Sequence, residues 1–292
     1  MGATIREGTL DLAGAGTRAL EVAGSGPPIV LLHGFADSAD TWRPLLAELA
    51  RRGRAALAVD LPGFGAASRL DREGDVLPQL DRFAAAAVRH AIAELGPGPG
   101  AEAVLAGNSL GGCVALRAAQ RPELPLAGVV PIAPAGLEMA RWLAIIEGEG
   151  VLRAVLRSPI PVPEAVVRSV VGRMYRTFAF LRPGDVPDEV VDAFTGHVRS
   201  RRDAIRILAT GHRLLPELRD PFKLKRIRCP VLVVWGDSDI MVLSRGSQRV
   251  LSELPQATLE MVELCGHCPQ IEATERLAEL LEDFPAQLAV AA

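Results

Sequence analysis

The stretch AVLAGNSLGG occupies residues 103–112, where an apolar run meets a segment whose apolar residues have helical spacing. It contains the pattern Gly-x-Ser-x-Gly, from Gly107 to Gly111. A tight turn from strand to helix strains the serine backbone and requires small neighbours, so that the hydroxyl projects above the sheet. The pattern therefore predicts a nucleophile elbow with Ser109 at its tip. Taken alone, so short a motif also fits a glycine-rich turn in which Ser109 caps a helix.

Short apolar runs recur along the chain, and each ends in Gly, Pro, Asn or Asp. They cover residues 29–32, 55–59, 103–106, 129–132 and 231–235. Buried parallel strands have this continuous apolar composition. Segments with helical spacing lie between them, at residues 42–50, 80–95 and 110–119. This alternation predicts an α/β fold with a mostly parallel, doubly wound sheet of about eight strands.

The two ends of the chain complete this core. Residues 4–12 and 17–22 have the composition of two shorter strands split by a glycine-containing turn, which predicts an antiparallel edge. Residues 258–264 and 270–284 predict a last strand and a last helix, because the apolar residues of the second segment lie on one face.

The strand pattern stops after Gly136 and returns near Cys229. Between these points the apolar residues have helical spacing and no convincing strand is present. We therefore predict a helical cap over residues 137–218. This cap separates a first part of the core, residues 1–136, from a second part, residues 219–292.

Candidates for a base and an acid follow the later strands. A serine hydroxyl is a weak nucleophile unless a base removes its proton, and that base needs an orienting carboxylate. Asp237 and Asp239 follow the apolar run at 231–235, and His267 follows the last predicted strand. Each lies at the carboxyl end of a strand, where open α/β sheets bind ligands.

Five motifs together resemble the α/β-hydrolase superfamily, over nearly the whole chain. They are His33-Gly34-Phe35, Asp60-Leu61-Pro62-Gly63-Phe64-Gly65, Gly107 to Gly112, Gly236-x-x-Asp239 and Gly266-His267. The resemblance implies Ser109 as the nucleophile, His267 as the general base and later general acid, and Asp239 as its partner. Asp237 is the competing acid. The family's acid usually lies three residues after the glycine, which favours Asp239.

An oxyanion hole and a pocket are expected around Ser109. Attack on a carbonyl creates an oxyanion that requires N–H donors, and Leu110 supplies one at the start of its helix. The resemblance implies the N–H of Phe35 as the second donor. The pocket residues that we expect are His33, Gly34, Asn108, Trp142, Phe178 and Cys268. His33 is also expected to hold its loop by hydrogen bonds.

Ester hydrolysis is the leading interpretation. Serine at the elbow argues against dehalogenases and epoxide hydrolases, whose similar scaffolds have Asp there, and an apolar cap suits a small or medium carboxylic ester. The alternative enzyme is a C–C bond hydrolase of meta-cleavage products, although that group usually has Trp at the position of Cys268. A perhydrolase, a thioesterase and an acyltransferase also stay open. The alternative outside enzymes is a receptor-like binding module, against which the intact Ser109, Asp239 and His267 argue.

Composition excludes several classes of protein and partner. The chain has 292 residues, 49% hydrophobic and 23% charged, as is typical of globular proteins. A net charge of −3 provides no basic field for nucleic acid. No apolar segment reaches the roughly 20 residues that a membrane span needs. A small-molecule ester or related acyl compound is therefore the expected partner, and a homodimer stays open.

The cysteines and the first residues bear on location and cofactors. Residues 1–8 lack the apolar stretch of a secretory signal, and 4 cysteines are too few for a disulfide framework. We therefore predict a cytoplasmic protein. Cys265 and Cys268 form a C-x-x-C without a second ligand pair, so we expect no metal, and the motifs imply no cofactor.

Overall fold

The computed structural model describes residues 4–138, 163–198 and 200–291. An eight-stranded sheet forms its centre, in the order β1-β2-β4-β3-β5-β6-β7-β8. The strands are β1 (Arg6–Leu12), β2 (Ala15–Val22), β3 (Ser25–Leu32), β4 (Arg54–Val59), β5 (Ala103–Asn108), β6 (Leu126–Ile132), β7 (Val231–Gly236) and β8 (Ala257–Val262). Strand β2 runs antiparallel to both neighbours, and all other neighbouring pairs are parallel. The predicted fold class, including the antiparallel edge, is confirmed.

Helices cover both faces of the sheet and one end of it. They are α1 (Arg43–Arg51), α2 (Val76–Leu95), α3 (Leu110–Ala118), α4 (Glu164–Ala179), α5 (Asp188–Thr195), α6 (Arg201–Glu217), α7 (Ser247–Glu253), α8 (Pro269–Glu272) and α9 (Thr274–Ala291). No helix in the described parts of the chain is long and apolar enough to cross a membrane.

The central strands are apolar throughout because both of their faces are buried. In β3, Val30 and Leu32 belong to the apolar layer that contains the buried side chains of α2 and α3. Ile29 and Leu31 belong to the opposite layer, which contains those of α1 and α9. Successive side chains of a strand point to opposite faces, so a strand covered on both sides has no polar alternation. This burial is the physical basis of the short apolar runs in the sequence.

In the described residues between β6 and β7 the chain forms three helices, α4, α5 and α6, which we call the cap helices. Helices α4 and α5 begin directly after Pro163 and Pro187, and proline is tolerated at a helix start because its missing N–H needs no partner there. Helix α6 is capped at its start by Ser200, whose hydroxyl accepts the N–H of Asp203. The predicted insertion also includes residues 139–162, which lie outside the described residues.

Candidate active site

Ser109 lies at the turn between β5 and α3 with a strained backbone. Its φ is +55° and its ψ is −111°, a conformation that L-residues rarely adopt. Neighbouring backbone holds it there: its N–H donates to the carbonyl of Ile132, and its carbonyl accepts the N–H groups of Cys113 and Ala135. The structure therefore has the strained strand-to-helix turn that the motif predicts.

The glycines of the motif allow the turn to pack against itself and against β3. A Cβ atom at Gly107 would lie 2.4 Å from the backbone of Gly111, and one at Gly111 would lie 2.1 Å from the carbonyl oxygen of Leu32. Real side chains do not approach a backbone so closely. The two glycines are therefore required by packing, and the elbow is pressed against the end of the neighbouring strand.

His267 and Asp239 are joined by a buried hydrogen bond. The Nδ1 atom of His267 lies 2.7 Å from Oδ2 of Asp239, and both side chains are almost completely buried. The other carboxylate oxygen, Oδ1, accepts the N–H groups of Met241 and Val242 at 2.8 and 2.9 Å. A carboxylate at Nδ1 selects the tautomer with the proton on Nδ1, which leaves the lone pair of Nε2 available. Among the described residues Nε2 has no hydrogen-bond partner.

The competing acid, Asp237, lies at the surface. Its Oδ1 accepts from the hydroxyl of Ser238 at 2.8 Å and from the N–H of Cys265 at 3.3 Å. It therefore organises its own loop, whereas the hydrogen bond to His267 is made by Asp239.

Asn108 ties the His267 loop to the elbow. Its Nδ2 donates to the carbonyl oxygen of His267 at 2.9 Å, although the two residues are 159 positions apart. Its Oδ1 lies 3.5 Å from Nε2 of Gln270, which also reaches Thr41 at 3.3 Å. The residue before the nucleophile thus holds the backbone of the histidine rather than facing the cavity alone.

The expected oxyanion donors belong to two segments that meet at the elbow. Leu110 is the first residue of α3, where backbone N–H groups lack an acceptor within the helix and the helix dipole is positive. Phe35 lies in the turn after β3, and the turn touches the elbow: a Cβ atom at Gly34 would lie 3.5 Å from Cβ of Ser109. An anion near Ser109 would therefore meet the amino end of a helix.

A cavity of about 370 Å³ contains Ser109 and His267, and we call it the Ser109 cavity. Its described lining from the core includes Gly34, Phe35, Asp37, Asn108, Ser109, Met241, His267 and Cys268, and its lining from α4 and α6 includes Val167, Val170, Met174, Phe178, Ile207 and Leu208. Most of these groups are apolar. Of the pocket residues expected from sequence, Gly34, Asn108, Phe178 and Cys268 lie in this lining. Trp142 lies outside the described residues.

His33 is placed differently from the pocket position expected for it. Its ring is fully buried and is not part of the described lining of the Ser109 cavity. Its Nε2 accepts the N–H of Leu61 at 2.8 Å, so Nδ1 carries the proton and donates to the carbonyl of Gly34, also at 2.8 Å. Burial lowers the pKa of His33 to about 4. The neutral ring therefore holds the loop, and the pocket assignment is corrected.

The comparison with known families follows from this arrangement. The model of the alpha/beta hydrolase family matches residues 29–280. The chain belongs to this family. The match spans the sheet from β3 onward, the elbow, the cap helices and the His267 loop.

Several known proteins are similar to this chain over most of its length. An uncharacterised protein of Mycobacterium tuberculosis is 27% identical over 282 residues, which cover 91% of this chain and 77% of the relative. The pimeloyl-acyl-carrier protein methyl ester esterase of Nitrosomonas europaea is 27% identical over 267 residues, which cover 90% and 97%. The structure of 2-hydroxy-6-oxo-6-phenylhexa-2,4-dienoate hydrolase from Rhodococcus has a TM-score of 0.78 at 21% identity, covering 96% of this chain and 98% of that one. At this identity the likeness concerns the fold.

The two cysteines that bracket His267 lie in different environments. Cys265 packs in the apolar layer of α1 and α9, whereas Cys268 packs with Tyr175 and Phe180 near the cap helices. Burial raises the pKa of both thiols. No group of three or more His, Cys, Asp or Glu side chains in the described ranges is placed to bind a metal ion.

Two acids of this region, Glu272 and Asp37, are not among the residues predicted from the sequence. Glu272 accepts the N–H of Gly266 with Oε2 and the N–H of Leu181 with Oε1, both at 2.8 Å. It therefore joins the His267 loop to the chain just beyond α4. Asp37 is buried beside the oxyanion turn and lines the Ser109 cavity. A usable signal for Asp37 was its position only four residues after His33, in a loop already expected at the site.

Proposed function

We propose that the chain is a serine hydrolase that cleaves a small or medium carboxylic ester through an acyl-enzyme at Ser109. The observation that carries the proposal is the buried hydrogen bond between Asp239 and His267, together with the position of His267 in the lining of the same cavity as the strained Ser109. A buried acid that fixes the histidine tautomer and leaves the lone pair of Nε2 available is the arrangement needed to activate a hydroxyl. A receptor has no need of it.

The mechanism assigns each group one task. The Nε2 atom of His267 removes the proton of the Ser109 hydroxyl as its oxygen attacks the ester carbonyl, and Asp239 stabilises the resulting imidazolium. The N–H groups of Leu110 and Phe35 bind the oxyanion. Collapse of the tetrahedral intermediate breaks the bond to the alcohol, which leaves with the proton from His267. Water then attacks the acyl-enzyme with His267 again as base, releasing the acid and restoring the serine.

The cavity and a relative support an ester as the substrate. A mostly apolar lining favours an acyl group over a charged one, because burying a charge without a partner is costly. One of the reported relatives is named as a methyl ester esterase, at 27% identity. A cavity of about 370 Å³ suits a small or medium acyl chain.

The domain division and location form part of the same proposal. We assign residues 137–218 to a cap that screens the ester from water, between core parts at residues 1–136 and 219–292. The cap helices support this division, because α4 and α6 line the cavity that contains Ser109. We place the protein in the cytoplasm, since all four cysteines are unpaired, as in a reducing compartment.

Covalent labelling and ester hydrolysis test the function together. We expect a fluorophosphonate to label the wild type and not Ser109→Ala. We also expect a series of p-nitrophenyl esters to be hydrolysed best at short or medium acyl length. Failure to label would favour a receptor-like module. Labelling without hydrolysis of any ester would exclude an esterase, and ring-cleavage diketones would then be tested as substrates of a C–C hydrolase.

Glu272→Ala is expected to lower kcat about tenfold with little change in KM. The substitution removes the acceptor of two backbone N–H groups, and hydrogen bonds to a charged group contribute about 1.5–3 kcal/mol each. The lost hydrogen bonds hold the His267 loop and not the apolar lining from the cap helices. We therefore expect the substitution to lower kcat and not to raise KM. Steady-state kinetics on the preferred p-nitrophenyl ester measures it.

The control for this prediction is Glu275→Ala, which removes an exposed acid three residues further along, in the first turn of α9. It should behave as the wild type. Glu272→Gln keeps one acceptor oxygen and should recover part of the lost kcat. A normal kcat in Glu272→Ala would show that the loop holds its position without this carboxylate.

A further inference from the structure

Asp37 is the one carboxyl group in the described lining of the Ser109 cavity. It lies two residues beyond Phe35, and only 5% of the residue is exposed. Its Oδ1 accepts the N–H of Ser38 at 2.8 Å, and the carboxyl also interacts with the hydroxyl of Thr41. Backbone N–H groups therefore leave acceptor positions of this carboxylate available.

No cation in the described parts of the chain forms an ion pair with Asp37. Arg18 and Arg43 line a neighbouring cavity together with Asp37, but both pair with Asp40, at 2.7 and 2.6 Å. Burial raises the pKa of Asp37 to about 7. A buried acid without a counter-charge destabilises a fold, so its presence in the lining of the cavity that contains Ser109 calls for a functional reason.

A second polar group accompanies this acid. Tyr175, on α4, faces both cavities, and its ring is stacked on Phe194. Its hydroxyl interacts with Thr41 and with the thiol of Cys268, and the charge of Asp37 contributes to raising its pKa, after burial. Asp37, Thr41, Tyr175 and Cys268 therefore form a small polar cluster. Ligand cavities use such isolated polar groups to orient a ligand that is otherwise held by apolar contacts.

We propose that Asp37 and Tyr175 form a polar subsite that binds a hydroxyl group carried by the ester substrate. The inference rests on the proposed esterase function and narrows its substrate class. A hydroxyl group donates one hydrogen bond and accepts others, so it matches a carboxyl next to a phenol. An ammonium group fits less well, because its desolvation costs far more and because Arg18 and Arg43 lie on the neighbouring cavity.

Matched esters with and without a hydroxyl group test the subsite. On the acyl side the substrates are the p-nitrophenyl esters of hexanoate, 3-hydroxyhexanoate and 6-hydroxyhexanoate. On the alcohol side they are butyl and 4-hydroxybutyl hexanoate, followed by acid release. The measured quantity is the ratio of kcat/KM for the hydroxylated ester to that for its parent. We expect a ratio of about ten in the wild type for at least one pair, the value of one hydrogen bond to a charged group.

Substitutions at the cluster assign this ratio to its residues. Asp37→Leu should lower it to about 1, Asp37→Asn should keep part of it because an amide still donates and accepts, and Tyr175→Phe should lower it about threefold. The control is Glu189→Gln, which changes an exposed acid that lines only the neighbouring cavity. Its ratio should equal that of the wild type. Each ratio compares two esters on one variant, so a general loss of activity cancels.

Several results would overturn the subsite. One is a ratio of hydroxylated to parent ester near 1 in the wild type for every pair, and another is an unchanged ratio in Asp37→Leu. A third is a higher kcat/KM for p-nitrophenyl 6-aminohexanoate than for p-nitrophenyl 6-hydroxyhexanoate. If Asp37→Leu does not fold, unchanged ratios in both Asp37→Asn and Tyr175→Phe have the same meaning. Hydrolysis of the plain esters without a hydroxyl preference removes the subsite alone. Absence of any ester hydrolysis removes the proposed function and the subsite with it.

Discussion

Asp239→Asn is expected to lower kcat about 10⁴-fold, the loss that the wrong histidine tautomer causes in Ser-His-Asp enzymes. The asparagine amide would keep the bonds from Met241 and Val242 by its oxygen and present its NH₂ group to Nδ1 of His267. The imidazole proton would then move from Nδ1 to Nε2 of His267, so Nε2 could no longer act as a base. Turnover of the preferred p-nitrophenyl ester at saturating concentration measures the loss.

Asp237→Asn is the matched control, because it makes the same chemical change two residues away. Its amide oxygen can still accept from Ser238 and Cys265 at the surface. We expect a change in kcat within about threefold, the range of an exposed hydrogen bond. Equal losses in the two variants would remove Asp239 from the acid role. Fluorophosphonate labelling of Ser109 and thermal unfolding of both variants would separate lost chemistry from lost folding.

The order of the elements could be predicted because the central strands are buried on both faces. The runs at residues 55–59 and 231–235 fall within one residue of β4 and β7. Strand β3 begins earlier than predicted, at Ser25, and its register shifts between Ser25 and Ile29. That stretch contains two prolines and a glycine, so it lacks the apolar composition that usually predicts a strand.

The last helix shows what local sequence does not reveal. We predicted one helix over residues 270–284, whereas the chain forms α8, a break at Ala273, and then α9. The φ and ψ of Ala273 are −139° and 46°. Alanine is the best helix former, so no residue type signals this break. Helix α8 instead carries Glu272, whose carboxylate is held by Gly266 and Leu181. Long-range contacts of this kind override local propensity.

Some features of the candidate site could likewise be predicted from the sequence, and others could not. Ser109, Asp239 and His267 could be predicted because each follows a strand at the same edge of the sheet, where topology brings the loops together. The environment of Asp37 could not, since the groups that interact with its charge include Tyr175 and Cys268, which belong to the cap helices and to the His267 loop. Burial decides the protonation of an acid, so the properties of Asp37 follow from tertiary structure alone.

Asp37→Asn is expected to stabilise the protein above neutral pH, by up to about 4 kcal/mol. Burial raises the pKa of Asp37 from 3.8 to about 7, and each pKa unit corresponds to about 1.4 kcal/mol. The folded state therefore binds the proton more tightly than the unfolded state. This contribution to the free energy of unfolding is fully present below pH 4 and is lost as the pH rises to about 7. Above that pH no further stability is lost. Asparagine cannot ionise, so it avoids this loss.

Thermal unfolding between pH 4 and pH 8 measures the effect. The difference in Tm between Asp37→Asn and the wild type should be near zero at pH 4 and up to about 8 °C at pH 8, since about 1 kcal/mol shifts Tm by roughly 2 °C in a chain of this size. A second scan of each sample checks reversibility, because an irreversible transition measures the rate of unfolding and not the equilibrium stability.

Asp40→Asn in the same turn should give the opposite sign. Burial alone would raise the pKa of Asp40, but hydrogen bonds from Arg18 and Arg43 bring it below its ordinary value. Its stabilising contribution is therefore present above the unfolded pKa and is lost as the pH falls. The variant should be less stable than the wild type at pH 8, and this difference should shrink toward pH 3. A loss of stability in Asp37→Asn at pH 8 would mean that its carboxylate is stabilised by a partner, and the case for an unpaired acid at the cavity would fail.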